Sequence, residues 1–177
     1  ASTPTESPRF GIKLIPSPRA EGSLVSIDPH SRFVRAIVGG YARRAGGFNR
    51  ATQALRQPGS VFKPIVYAAG LLEKKISPAS ICPDSPVVIR DKWTGQAWKP
   101  ENYEDGRYDG NITYRRALTR SKNTCSVKLI EELGIDPVIA LARKLGIVSK
   151  LPENLTLALG TGEVTALELA NAYATIA

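Results

Sequence analysis

Residues 56–64 read Arg-Gln-Pro-Gly-Ser-Val-Phe-Lys-Pro, and this stretch governs the interpretation of the rest of the sequence. A helix fits residues 60 to about 75, because Pro64 is tolerated in a first turn, where the N–H groups have no intrahelical partner. Positions i and i+3 of a helix share one face, so the Lys63 amine can reach the Ser60 hydroxyl. A neutral lysine can take the serine proton as the hydroxyl attacks a carbonyl, and burial favours the neutral amine. The pair therefore indicates a nucleophile and its base, beside a helix N-terminus whose partial positive charge would stabilise an oxyanion.

A second motif, Ser121-Lys122-Asn123, lies at the junction between two predicted helices, 113–120 and 124–133. A serine there can relay a proton, and an asparagine amide offers a donor and an acceptor that can hold both Lys63 and a substrate carbonyl. Each spacing is short enough to arise by chance. Taken singly, the S-x-x-K pair fits an ordinary surface helix and the S-x-N fits a helix cap. The combination of the two motifs and their neighbours is what indicates a catalytic site.

The residues around both motifs resemble class A (bifunctional) penicillin-binding proteins. S-x-x-K, S-D-N (here S-K-N) and K-T-G are the motif set of penicillin-binding proteins and class A β-lactamases. The resemblance runs from about Gly22 to the last residue in the family's order. The stretches that carry it are Phe48-Asn49-Arg50-Ala51-Thr52-Gln53-Ala54, residues 56–64, Trp98-Lys99-Pro100-Glu101-Asn102-Tyr103, Tyr108, Gly110, Thr113, Ala117-Leu118, Ser121-Lys122-Asn123-Thr124, Leu157-Ala158-Leu159-Gly160, Glu163-Val164-Thr165 and Asn171-Ala172-Tyr173-Ala174.

The resemblance implies a role for each polar residue of the two motifs. Ser60 would be the acylated nucleophile, Lys63 the general base, Ser121 a proton shuttle, and Asn123 an organiser of the site that also contacts substrate. In this family the serine attacks the penultimate D-Ala carbonyl of a peptidoglycan stem peptide and releases the terminal D-Ala. The acyl group then passes to an amine of a neighbouring stem, and β-lactams acylate the same serine. We therefore expect a peptidoglycan D,D-transpeptidase, with stem peptides and β-lactams as partners and no cofactor.

The third family motif, K-T-G followed by Ser or Thr, is absent from the sequence. Gly160-Thr161-Gly162 follows Leu159 in place of lysine and precedes a predicted helix, so it does not qualify. The resemblance implies that K-T-G lies on a sheet strand beyond residue 177, where it would bind the substrate carboxylate and supply part of the oxyanion hole. The missing C-terminal segment, supplied as a second chain, is therefore expected to restore the site.

Three alternatives to an active transpeptidase stay open. The 177 residues could fold and bind partners or β-lactams weakly without turning anything over, and this inactivity is favoured for the isolated chain. A class A serine β-lactamase would need a deacylating glutamate in an E-x-x-L-N context, whereas Glu153-Asn154-Leu155 has a different order. A Ser–His–Asp hydrolase would have to use His30, which lies in a predicted turn. The last two are disfavoured.

Composition agrees with one ordinary globular domain, since 42% of the residues are hydrophobic and 23% are charged. The net charge of +8 comes from scattered Arg and Lys residues without a nucleic-acid motif, so no nucleic-acid partner is expected. The sequence contains no Met, which predicts a processed or excised piece of a longer protein. The resemblance implies a parent with a membrane anchor that acts in the bacterial periplasm, at the outer face of the cytoplasmic membrane.

Two cysteines, Cys82 and Cys125, are too few for a disulfide framework and show no metal-ligand spacing. With one histidine, a zinc site would lack ligands, so no metal is expected. A bridge between the two cysteines is one interpretation. Two separate buried thiols are the favoured one.

The order of predicted elements indicates an α+β domain. Residues 1–21 are predicted to be a linker, and residues 22–177 a partial transpeptidase domain. Two strand-like runs, Ser23–Ile27 and Phe33–Val38, predict a hairpin, whereas residues 80–112 predict an irregular excursion. Two strands make a poor sheet on their own. The expected fold is therefore a helical subdomain with the N-terminal hairpin of a sheet whose remaining strands lie beyond residue 177, as in penicillin-binding proteins and serine β-lactamases.

The helices of the second half are predicted from their end signals. Gly134 would follow the helix over 124–133, and Asp136 would be the N-cap of the next helix, with Pro137 at its first position and Gly146 closing it. The capping box Thr165-Ala166-Leu167-Glu168 would begin the last helix. The aromatic rings of residues 98–103 either line the cleft or pack against the helices.

Overall fold

The computed structural model describes residues 20–41, 47–90, 97–103 and 107–177. Within this part of the chain the fold is mixed α and β, as predicted. The elements are β1 (Leu24–Ile27), β2 (Val34–Val38), α1 (Lys63–Leu72), β3 (Ile81–Asp84), β4 (Ile89–Arg90), β5 (Ala97–Trp98), β6 (Gly110–Thr113), α2 (Tyr114–Thr119), α3 (Asn123–Leu133), α4 (Asp136–Lys144) and α5 (Ala166–Ile176). Short 3-10 turns at Gly59–Phe62 and Leu155–Leu159 complete the set. Most of the predicted linker, residues 1–19, lies outside the described residues.

The predicted N-terminal hairpin is confirmed. Strands β1 and β2 pair antiparallel, with Leu24 opposite Val38, and their turn is held by the Asp28 carboxylate, which accepts hydrogen bonds from two backbone N–H groups. All five residues of β2 are exposed, although three of them are Val or Ile. Strand β2 therefore presents apolar side chains that the described residues leave about half exposed, whereas β1 packs against α5.

The helix after Ser60 begins later and ends earlier than predicted. Ser60 lies in the 3-10 turn, and the α-helical hydrogen-bond pattern starts at Lys63. Pro64 agrees with this start, because a proline has no N–H to donate and is tolerated only in the first turn of a helix, where that N–H would have no intrahelical partner. At the other end Lys74 takes a left-handed conformation with φ of 55°, which turns the chain away after α1.

The prediction of irregular structure over residues 80–112 was wrong in part, because four short strands lie in or overlap this range. Strand β3 pairs with β6 and strand β4 pairs with β5, each as a two-stranded antiparallel ribbon. The strands are too short for a sequence pattern, and β3 contains Pro83, which usually argues against a strand. Ile81 pairs with Thr113, so the partner that makes β3 a strand lies far along the chain.

The helix ends predicted from capping and glycine signals were mostly correct. Thr165 and Glu168 form both hydrogen bonds of the capping box that begins α5. Gly134 follows α3 with φ of 86°. Asp136 was wrongly predicted as the N-cap of α4: it is the first helical residue, because the N–H groups of the next turn already bond to the carbonyl of Ile135.

The two cysteines form a disulfide, so the favoured interpretation of two separate thiols was wrong. The Cys82 and Cys125 sulfurs are bonded, with Cα atoms 6.0 Å apart, and both residues are fully buried. Cys82 lies on β3 and Cys125 on the first turns of α3. Pairing depends on the packing of these two elements, which are separated by 43 residues and carry no local signal of their contact.

The core lies between α1, α3 and the second 3-10 turn. Among its fully buried side chains are Phe62, Ile65, Leu129, Ile130 and Leu157. Because α1 packs on α3, the 3-10 turn before α1 and the tight turn before α3 come together at one end of the helical layer. That end carries both polar motifs. No helix within the described ranges is long and apolar enough to cross a membrane.

Candidate active site

Lys63 is a buried lysine on the first turn of α1, and the residue is only 1% exposed. Its Nζ donates to the Ser121 carbonyl at 2.6 Å, to Ser121 Oγ at 3.0 Å and to Asn123 Oδ1 at 2.6 Å. These three acceptors match the three N–H bonds of an ammonium. The structure therefore brings three of the four predicted site residues into direct contact.

Ser121 has an unusual backbone for a non-glycine residue. Its φ of 53° lies in the left-handed region, at the tight turn between α2 and α3. Such a conformation costs of order 1 kcal/mol or more and persists where surrounding contacts hold it. Here the N–H of Ser121 bonds to Leu118 O and that of Lys122 bonds to Ala117 O. The turn directs both the carbonyl and the hydroxyl of Ser121 to Lys63.

Asn123 begins α3, and both ends of its side-chain amide are engaged. Oδ1 accepts from Lys63, and Nδ2 donates to the Glu101 carbonyl at 2.7 Å. A carbonyl is an acceptor only, so the amide must present its NH₂ group to Glu101 and its oxygen to the lysine. The residue is half-buried, which leaves it in contact with the open pocket.

Ser60 lines the same pocket as Ser121 and is exposed. Its backbone is held on both sides: Gly59 N–H donates to Gly160 O at 3.1 Å, and the Tyr173 hydroxyl donates to Val61 O at 2.7 Å. Within the described residues, no hydrogen bond joins Ser60 Oγ to Lys63. Ser60 thus lines the pocket, whereas the Lys63 amine bonds to the S-x-N motif.

Electrostatics favour a neutral amine more than in a free lysine. Burial lowers the pKa of Lys63 from 10.5 to about 8, because removing an ammonium from water destabilises the charged form. The amine therefore loses its proton at a lower pH than a free lysine does, and a minor fraction of it is neutral at pH 7. A lysine of this kind can act as a base, which an ordinary surface lysine cannot do effectively at pH 7.

The pocket has a volume of about 290 Å³. Its lining residues are Ser60, Asn102, Tyr103, Arg120, Ser121, Lys122 and Asn123. Both aromatic alternatives are realised: Tyr103 lines the pocket and is 99% exposed, whereas Trp98 packs against the core. The pocket opens to solvent and reaches both motifs, so a substrate carbonyl can approach Ser60 there.

A larger pocket of about 390 Å³ lies elsewhere, between residues 21–23, 50–58 and the start of α5. It shares no residue with the Ser60 pocket and contains the Arg50–Glu21 ion pair. It has no buried base beside a hydroxyl, so the smaller pocket is the candidate active site. No metal-binding cluster is found in the described part of the chain.

Three buried polar residues in or next to the S-x-N motif, Asp84, Asn102 and Lys122, were not predicted as site residues. Lys122, the middle residue of the motif, is 2% exposed and pairs with Asp84 at 3.2 Å and with Asp109 at 3.3 Å. Asn102 is 6% exposed and bonds to both Asp84 and the start of α3. The stretch around Asn102 belongs to the resemblance, which was the available signal. Asp84 follows a proline in a short strand, and no sequence signal marked it as part of the site.

Residues 22–177 match the family described as "Penicillin binding protein transpeptidase domain". The penicillin-binding protein 1A of Neisseria lactamica is 45% identical over 166 residues, which make up 93% of this chain and 21% of that protein. The crystal structure of penicillin-binding protein 1A from Haemophilus influenzae matches with a TM-score of 0.79 and 38% identity, over 89% of this chain and 23% of that one. The PonA1 protein from Mycobacterium tuberculosis, in complex with penicillin V, matches with a TM-score of 0.73 and 29% identity, over 89% of this chain and 45% of that one.

The chain spans about a fifth of the length of the curated relatives it matches. The family match nevertheless extends over almost all of the described residues, and it includes both polar motifs with the helices that carry them. This chain belongs to the penicillin-binding protein transpeptidase domain family.

Proposed function

We propose that this domain is the acylating part of a serine-type peptidoglycan D,D-transpeptidase. Ser60 attacks the penultimate D-Ala carbonyl of a stem peptide, Lys63 accepts the hydroxyl proton, and Ser121 passes a proton to the departing D-Ala nitrogen. Asn123 holds Lys63 and binds a substrate carbonyl. The acyl-enzyme forms as the Ser60 Oγ–C bond replaces the D-Ala–D-Ala peptide bond, and an amine of a second stem peptide then displaces Ser60.

The observation that carries this proposal is the environment of the Lys63 amine. A lysine buried to 1% exposure, with its pKa lowered to about 8, is bonded to a serine and an asparagine from a separate motif. A structural lysine would more commonly pair with a carboxylate, as Lys122 does nearby. The arrangement supports proton transfer among the two serines and the lysine.

We further propose that the parent protein acts on cell-wall stem peptides outside the cytoplasm, in the periplasm, and is held at the membrane by an anchor. The K-T-G motif is expected in the segment after residue 177, and residues 22–177 would be one part of the transpeptidase domain. Without that segment the chain would bind β-lactams weakly and turn over no substrate. A complete site would form when the segment is supplied, as a continuation of the chain or as a second chain.

Covalent labelling by a β-lactam tests the nucleophile. The chain is incubated with penicillin V, alone and with the C-terminal segment, and intact mass is measured. We expect one drug adduct on the preparation with the segment and none on its Ser60→Ala variant. Ser31→Ala, which changes a serine in the hairpin turn, is the matched control and should be labelled like the unmodified protein.

The outcomes separate the alternatives. An adduct that appears only with the segment supports a site shared between the two parts. Absence of an adduct on the complete preparation contradicts the assignment of Ser60. Rapid hydrolysis of the drug, with free enzyme regenerated, would favour a serine β-lactamase.

A further inference from the structure

We propose that Asn102 is a positioning residue that orients Asn123, and through it the Lys63 amine, from outside both catalytic motifs. The inference rests on the proposed function for its activity assay. It comes from four residues with little or no exposed surface behind the S-x-N turn: Asp84, Asn102, Lys122 and Thr124, which are 1%, 6%, 2% and 0% exposed.

Asn102 caps the N-terminus of α3. The first N–H groups of a helix lack intrahelical partners, and Lys122, which precedes α3, makes no side-chain cap bond. Asn102 Oδ1 instead accepts from the N–H of Asn123 at 2.9 Å and lies 3.5 Å from that of Thr124. A residue distant in sequence thus serves as the cap of this helix, directly at the backbone of Asn123.

Two acceptors fix the orientation of the Asn102 amide. Its Nδ2 donates to Asp84 Oδ1 at 2.8 Å and to the Arg107 carbonyl at 3.0 Å. An ionised carboxylate and a carbonyl are acceptors only, so the NH₂ group must face them and the oxygen must face α3. Asp84 is itself held by Thr124 Oγ1, by the Asp109 N–H and by Lys122. The buried carboxylate therefore determines which end of Asn102 reaches Asn123.

Asn123 connects Asn102 to the Lys63 amine. Glu101 and Asn102 are adjacent, and they hold the side chain and the backbone of Asn123 respectively. With its side chain and backbone held in this way, Asn123 places its Oδ1 2.6 Å from Lys63 Nζ. Removing the Asn102 side chain leaves the N–H groups of Asn123 and Thr124 without this acceptor, and movement of the helix start would relieve that loss. Lys63 would then lose one of its three acceptors.

The test compares Asn102→Ala and Asn102→Asp with Asn111→Ala, an exposed asparagine on β6, in the preparation that contains the C-terminal segment. We expect the rate of acylation by penicillin V to fall roughly tenfold to a hundredfold in both Asn102 variants, the size of effect that a misplaced catalytic group produces. Asn111→Ala should match the unmodified protein. Asn102→Asp keeps the acceptor for α3 but sets a carboxylate against Asp84.

A rescue variant separates positioning from folding. Asn102→Asp/Asp84→Asn exchanges the donor and the acceptor of this pair. It should recover part of the rate that Asn102→Asp loses, because the donor to the Arg107 carbonyl is not restored. Titration of the Lys63 side chain, followed by NMR of ¹³C-labelled lysine, gives a readout without activity. The midpoint should fall in Asn102→Ala, because a lost acceptor destabilises the ammonium.

Two results are decisive. Acylation and a Lys63 titration midpoint that both stay unchanged in Asn102→Ala overturn the inference, while the proposed function stands. If the unmodified preparation is not acylated at all, the proposed function fails, and the lysine titration alone decides whether Asn102 positions the amine.

Discussion

At the scale of single residues, the proposed mechanism depends on whether Lys63 carries a proton. Its amine has three acceptors and no carboxylate partner among the described residues, so no bound anion stabilises its charge. Burial lowers its pKa to about 8. Below that pH the amine is protonated and cannot accept the Ser60 proton.

Acylation should therefore rise with pH through a midpoint near 8, as the neutral fraction of Lys63 grows. Lys63→Arg keeps the positive charge but cannot lose its proton, so it should acylate about 10²- to 10⁴-fold more slowly and with no such midpoint. The measurement is the rate of penicillin V labelling between pH 6 and about pH 10. Lys144→Arg, on the exposed side of α4, is the control. A midpoint that persists in Lys63→Arg would assign the titration to another group.

Gly160 determines how closely two backbone segments approach beside Ser60, the proposed nucleophile. A Cβ at this position would lie 2.0 Å from the carbonyl oxygen of Gly59, the residue before Ser60, and φ is +71°. We expect Gly160→Ala to lower the free energy of unfolding by more than about 2 kcal/mol, because strain and a backbone clash add. It should also slow acylation, since Gly59 must move and carries Ser60 with it.

Two other glycines separate these causes. Gly110 has φ of +69° with nothing within 4 Å of a built Cβ, so Gly110→Ala measures the left-handed backbone alone, about 1 kcal/mol. Gly22 has neither a left-handed backbone nor a close neighbour, so Gly22→Ala should leave the free energy of unfolding unchanged. Urea unfolding of the three variants gives the comparison. Equal losses in Gly160→Ala and Gly110→Ala would show that the contact with Gly59 contributes nothing.

At the scale of elements, the disulfide joins the strand that carries Asp84 to the helix that begins with Asn123. A cross-link that closes a loop of 43 residues restricts the unfolded chain and stabilises the fold by on the order of 4 kcal/mol in the chain-entropy treatment. Reduction should lower the midpoint of urea unfolding accordingly. The double variant Cys82→Ala/Cys125→Ala should start from the lower midpoint and be insensitive to reductant. Two free thiols in the denatured, unreduced protein would contradict the pairing.

Short sequence signals correctly predicted the helix ends that are set by residues close to them in the chain. Pro64, Gly134 and the Thr165 capping box lie within a few residues of the helix ends they determine, and those ends were predicted to within a few residues. The β3–β6 ribbon and the disulfide depend on partners some 30 to 40 residues away, which no short pattern records. The same distinction holds in the site. The four proposed catalytic residues belong to two short motifs, whereas Asp84 and Asn102 act through contacts that only the folded chain creates.

At the scale of the whole molecule, the helical layer and the hairpin differ in how well they are covered. The helices enclose a core of fully buried side chains, whereas the hairpin exposes Phe33, Val34 and Val38 by 69%, 49% and 50%. A two-stranded hairpin is marginal by itself, and an exposed apolar strand is an aggregation hazard. The expected further strands of the sheet would cover this surface and bring the K-T-G motif to the Ser60 pocket.

Hydrogen exchange measures this coverage directly. In the 177-residue chain, the amides of Val34–Val38 that do not bond to β1 should exchange rapidly, because nothing in the described structure shields them. When the C-terminal segment is supplied they should become protected, together with the appearance of penicillin labelling at Ser60. The amides of α3, already enclosed in the core, are the internal control and should change little. Labelling that appears without protection of β2 would show that the segment completes the pocket from another side, and the hairpin would then need a different partner.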